Sequence, residues 1–213
     1  MVVMQTEQLI HSLAQQLHPV RRMPAPALRA LGWLGVIGAI GSGVVLRYAN
    51  LGLFAQRLQV PRIALECVGS SLTAIAAIIA AFELSIPGRS RRWAWLPLAP
   101  LTLWLGASGV GCWRNALQRH ELGSDSPGCF IFIASVSVPL AVALFWMLRR
   151  AHPIAPLPVA LFGSLGVAAT AASLLQFFHP FDITLLDLAF HLAAVGFVIF
   201  ISTLLRRPLL AAP

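Results

Sequence analysis

Apolar residues run along this chain in six long blocks, at 31–49, 64–86, 93–113, 129–148, 157–178 and 183–205. Each block is about 20 residues, the length at which a helix rising ~1.5 Å per residue crosses ~30 Å of hydrocarbon. In lipid every backbone N–H and C=O must be paired inside its own segment, so the pattern predicts an all-α integral membrane bundle of six transmembrane helices. The breaks are short and carry turn chemistry: Asn50-Leu51-Gly52 and Pro61, Pro87-Gly88, Gly123 to Gly128, Pro153 to Pro158, and Pro180. Connections of that size predict one bundle over 29–213, preceded by a separate tail over 1–28.

The tail follows a different rule. From Thr6 to His18 the apolar residues Leu9, Ile10, Leu13 and Leu17 recur at helical spacing, Thr6 is placed to cap the first turn, and Pro19 blocks continuation. The spacing predicts a short amphipathic helix. One reading lays it on the inner membrane surface. Its polar face, however, carries Gln5, Glu7, Gln8, His11, Gln15, Gln16 and His18, with arginines only after it, and that face suits a groove on a partner protein equally well.

Composition agrees with the membrane reading: 58% of residues are hydrophobic and 10% charged, against roughly one-quarter charged in soluble domains. The 15 basic residues are all arginine and give a net charge of +8. They stand in ones, twos and threes between apolar blocks and form no single stripe, which argues for topology and against direct nucleic-acid binding. One side of the spans holds Arg21, Arg22, Arg29, Arg89, Arg91, Arg92, Arg149, Arg150, Arg206 and Arg207; the other holds Arg47, Arg57, Arg62, Arg114 and Arg119. Because cytoplasmic loops are enriched in basic residues, both termini are expected in the cytoplasm. Trp33, Trp93, Trp95 and Trp146 at inner helix ends and Trp113 at an outer end fit an interfacial belt. The start has no basic region leading into an apolar core and cleavage site, so a signal peptide is not expected. Glycines at 35, 38, 41 and 43, and the small residues Gly163, Gly166, Ala168, Ala169 and Ala172, permit close helix approach within the bundle or in a homodimer.

No phosphate-binding, zinc-hydrolase or nucleophile-elbow motif is present, so no enzyme is expected. The chemistry-bearing residues gather toward the outer side instead. Glu66 and Cys67 open the second span, Cys112 closes the third, Cys129 begins the fourth, and His179 and Asp182 lie between the fifth and sixth. In an oxidising compartment Cys112 and Cys129 are candidates for a disulfide, while Cys129 and His179 offer ligands to copper or zinc. Each cysteine read alone is equally a small buried apolar residue. Asp187 and His191, four apart, share a helix face inside the sixth span, either as a packing pair or as a functional ionisable site. Glu66 has the same spacing to Arg62, which predicts an ion pair, and Glu83 is within reach of Arg89 or of the Arg91-Arg92 pair. A small ion, proton or metal transporter built on Asp187, His191 and Glu66 is the alternative function, but the chain shows no internal three-helix repeat.

The stretch TEQLIHSLAQQLHPVRR at 6–22, the stretch SIPGRSRRWAWLPLAPLTLWLGASGVGC at 85–112, and Gly128-Cys129 together resemble the NrsF-like (negative regulator of sigma F) family of six-span membrane anti-sigma factors. The resemblance runs over almost the whole chain. It implies a bacterial inner-membrane protein whose tail sequesters an extracytoplasmic-function sigma factor until envelope stress releases it. On that basis Leu9, Ile10, Leu13 and Leu17 are the apolar anchors, and Arg21 and Arg22 meet an acidic partner surface. The resemblance also implies a sensory role for outward-facing cysteines, best matched by Cys129. Where a second cysteine is expected before the sixth span, this chain reads Phe178-His179-Pro180. That leaves metal capture by Cys129 and His179, a disulfide of Cys129 with Cys112, or loss of the redox response.

Overall fold

In a computed structural model the described residues are 2–15, 23–117, 126–178 and 185–210. Among them every regular element is helical. The tail helix α1 spans Val2–Gln15 and α2 spans Pro26–Tyr48. A short α3, Leu51–Arg57, precedes α4, Pro61–Leu84. After a 3-10 turn at Arg91–Trp95 come α5, Leu98–Leu117, and α6, Ser126–Arg149. The chain ends with α7, Pro156–Leu175, α8, Leu185–Leu204, and α9, Arg206–Leu210.

Six of these helices correspond to the six apolar blocks, with shifted ends. Proline explains three of the shifts: α2, α4 and α7 each begin at a proline in the first turn, where the missing N–H is no loss and the fixed φ suits the helix. The block expected from position 93 is divided. Trp93 and Trp95 sit in the 3-10 turn, and the long helix starts only at Leu98. Helix α3 stands where a plain break was expected. Asn50 caps it, its side chain accepting from Leu53 N–H at 3.0 Å. Among the described residues four helices are long and apolar enough to cross a membrane, namely α2, α4, the 128–149 part of α6, and α7; α8 contributes a shorter apolar stretch, Leu188–Leu204. Their composition marks a membrane protein.

Helix α7 lies at the centre, packed against α4, α6 and α8, while α4 also carries α5 and α2. Two apolar clusters hold these helices together. One joins Trp33, Ile78, Phe82, Phe145, Leu148, Val159 and Leu210. The other joins Trp104, Cys129, Ile133, Ala172, Leu175 and Ala194. Lipid tails are as apolar as leucine, so helices in a membrane associate through close packing more than through apolar burial. Gly69 shows how close: a Cβ there would lie 2.9 Å from the Trp104 backbone, which places α4 directly on α5. The small residues of α7 serve the same end, since Gly163, Gly166, Ala168, Ala169 and Ala172 are all buried. Those of α2 do not. Gly35, Gly38 and Gly43 have no atom within 4 Å of a built Cβ, and Gly41 meets one Leu174 methyl at 3.9 Å.

Candidate functional site

The tail helix α1 carries its apolar stripe in the open. Leu9, Ile10 and Leu13 are 58%, 55% and 56% exposed, and every residue from Thr6 to Gln15 is exposed. The helix is stabilised locally: the Ser12 hydroxyl donates to the Leu9 carbonyl at 2.9 Å, and Gln15 Nε2 lies 3.0 Å from His11 Nε2. It begins at Val2, four residues before the expected start, so Thr6 lies within the helix and is not its cap. The sequence reading missed this extension because Thr6 looked like an N-terminal signal and the valines at 2 and 3 favour strands when judged alone. The other expected anchors, Leu17, Arg21 and Arg22, lie outside the described residues.

At the end of the bundle where α4 begins and α7 finishes, the polar groups form a layer. Arg62 Nη1 is 2.7 Å from Glu66 Oε1, with side-chain exposures of 15% and 2%, so the expected ion pair is present and largely buried. Gly111 of α5 makes room for it, because a Cβ there would collide with the Arg62 guanidinium. Arg57 Nη1 donates to the Gln176 carbonyl at 3.3 Å, and Phe54 packs on Phe177 with ring centroids 4.3 Å apart; α3 thereby closes over the end of α7. One turn deeper the Ser173 hydroxyl donates to Ser70 Oγ at 3.1 Å, which ties α7 to α4.

Cys129 is 2% exposed and belongs to the apolar cluster that also includes Trp104 of α5, Leu175 of α7 and Ala194 of α8. Cys67 is half-buried with a free thiol. Cys112 lies late in α5 and Asp187 in the first turn of α8, but their side chains are outside the described set, as are residues His179 and Asp182 altogether. His191 is half-buried on α8. Among the described residues no three His, Cys, Asp or Glu side chains gather into a metal-binding group.

The opposite end holds a second polar group that periodicity did not reveal. Arg29 is buried, with its guanidinium carbon 5.0 Å from the Phe82 ring centroid and Nη2 donating to the Met147 carbonyl. An arginine in the first turn of a span reads from sequence as a topology signal, so its role in joining α2 to α4 and α6 is legible only in three dimensions. Of the partners its position offered, Glu83 pairs there with Arg89, at 3.2 Å. The Arg150 guanidinium stacks 4.0 Å over Trp146.

Comparison with known families finds that the family described as "Negative regulator of sigma F" (NrsF) matches residues 13–211, from the last turn of α1 to just past α9. No curated protein and no solved structure matches the chain.

Proposed function

The chain belongs to the NrsF family of negative regulators of sigma F, and from that premise we propose that it is a membrane-bound anti-sigma factor that captures an extracytoplasmic-function sigma factor with its N-terminal tail. The observation that carries this reading is α1, a formed amphipathic helix whose apolar side is turned to no part of the bundle core. Fully burying a Leu or Ile side chain contributes ~1.5–3 kcal/mol, so covering the exposed half of Leu9, Ile10 and Leu13 contributes ~1 kcal/mol each, with Leu17 adding to it. A preformed helix also pays less ordering entropy on docking. Arg21 and Arg22 follow as the charged part of the same contact.

In this reading the spans are six, both ends face the cytoplasm of a bacterial cell across its inner membrane, and the layer of Cys112, Cys129, His179 and Asp182 faces outward. Metal or oxidant acting there releases the sigma factor. The setting of Cys129 supports this coupling, because a residue held at 2% exposure cannot take a ligand or be oxidised unless the groups that cover it shift. Moving the equilibrium from nearly all bound to nearly all free requires a differential affinity of ~5.5 kcal/mol, which a metal with two or three good ligands supplies.

The test uses the full chain. Leu9→Asp with Leu13→Asp places carboxylates on the docking face at exposed positions, where membrane insertion has no stake in them. The expected result is wild-type protein level in the membrane, loss of the co-purifying sigma factor, and transcription from its promoter rising toward that of a deletion strain. A double variant that still retains the sigma factor and keeps the promoter silent would remove α1 from the mechanism.

A further inference from the structure

The connection after α4 and the connection after α6 meet at one end of the bundle and enclose a groove of about 510 Å³. Its walls include Leu84, Ile86, Ile154 and Pro158, and two arginines, Arg89 and Arg91, line it beside them. Arg89 is already compensated, with its Nε 3.2 Å from the Glu83 carboxylate. Arg91 is exposed and has no carboxylate partner among the described residues. The apolar length of α4 stops at Leu84 and α7 begins at Pro156, so the groove opens where two membrane-length helices leave the hydrocarbon. Trp95 follows on the same segment and is 72% exposed, and an exposed indole beside the end of a membrane-length helix favours the headgroup level.

We propose that this groove binds an anionic phospholipid, its phosphate on Arg91 and the upper part of an acyl chain against Leu84, Ile86, Ile154 and Pro158. Apolar walls beside an uncompensated guanidinium at headgroup depth match an amphiphile with a negative head, and basic pockets between membrane helices recognise such heads. The chain's own tail helix fits less well, since Glu7 is the one carboxylate among residues 1–28. A zwitterionic lipid brings the hydrocarbon without the net charge. The proposal requires only that α4 and α7 cross a bilayer, and it stands apart from the sigma-factor reading.

The experiment is native mass spectrometry of the full-length protein in neutral detergent, offered phosphatidylglycerol and phosphatidylcholine in equal amounts. The wild-type protein retains one phosphatidylglycerol in preference. Arg91→Gln lowers that preference about fivefold, the factor corresponding to the ~1 kcal/mol that a basic side chain contributes at an anionic lipid surface. Ala155→Trp, an exposed groove-lining position, fills the cavity and lowers the preference without changing charge. Arg47→Gln removes the same charge from an exposed site in the last turn of α2 and leaves the preference as it was. An equal fall with Arg47→Gln would assign the selectivity to bulk electrostatics and overturn the site. So would an unchanged preference in Ala155→Trp, or stronger retention once residues 2–15 are deleted, which would make the tail the native occupant.

Discussion

The Arg62–Glu66 pair shows what a single residue does in this bundle and what it does not. A carboxylate at 2% exposure needs its partner, since an uncompensated buried charge costs several kcal/mol. Replacing both members of such a pair with apolar groups, in contrast, is often neutral. Glu66→Gln is therefore expected to destabilise the bundle by ~2–3 kcal/mol, below the usual ~3–5 because Arg62 keeps some water contact, while Arg62→Met with Glu66→Leu recovers most of the loss. Thermal unfolding in detergent checks both. A Glu66→Gln variant as stable as wild type would show that the pair does not hold the helix ends, and would reopen Glu66 as an ion-carrying group. The pair itself was legible at i,i+4 spacing; for Glu83 the sequence offered Arg89 or the Arg91-Arg92 pair, and the turn after α4 brings Arg89 to it. The role of Gly111 was not, because its neighbour Arg62 is 49 positions away in the chain and only the packing of α5 on α4 brings them together.

At the scale of elements, the blocks of apolar residues marked the long helices because a membrane tolerates nothing else, whereas their ends depended on local backbone chemistry. Pro26, Pro61 and Pro156 moved three starts toward the N-terminus, and the residues after Ser90 made a 3-10 turn where an unbroken span was expected. Small residues were visible as a class, but which stripe packs was not: the glycines of α2 and those of α7 have the same spacing and opposite fates. The close contact of α4 with α5 gives a measurable consequence. Gly69→Val puts its Cβ 2.9 Å from the Trp104 backbone, which cannot swing aside as a side chain would, so α5 must separate from α4. The expected outcome is a loss of ~3 kcal/mol or failure to accumulate, against no measurable change for Gly43→Val, where the space is open. Equal behaviour of the two variants in a detergent unfolding assay would mean that α4 and α5 do not meet at Gly69.

On the scale of the whole molecule, the start of α2 and the end of α9 come to one end of the bundle. Leu210 packs in the same cluster as Ala30 and Trp33, beside Phe82 and Leu148. The connections after α4 and α6 share the groove, while α3 and the end of α7 meet through Arg57 and Phe54. Such a pattern arises when each long helix runs the length of the bundle and the next returns. On the proposed six-crossing reading both termini lie on one side of a membrane, and the arginines would make that side the cytoplasm, because Arg89, Arg91, Arg92, Arg149 and Arg150 belong to the end of the bundle where α2 begins and α9 lies. A fluorescent protein that matures only in the cytoplasm should accordingly shine when fused after Pro213 or before Met1, and a phosphatase active only outside the cytoplasm should work when inserted in 118–125. Phosphatase activity from the C-terminal fusion would mean an odd number of crossings, with one long helix lying along the membrane. The helix to suspect is α5, because its apolar character is interrupted by Ser108 and Arg114. If α5 crosses a membrane with the other long helices, the tail proposed to capture a sigma factor and the cysteines near Gly111 and Gly128 stand on opposite sides. The packing of α7 against α4, α6 and α8 is then the path by which a change at one reaches the other.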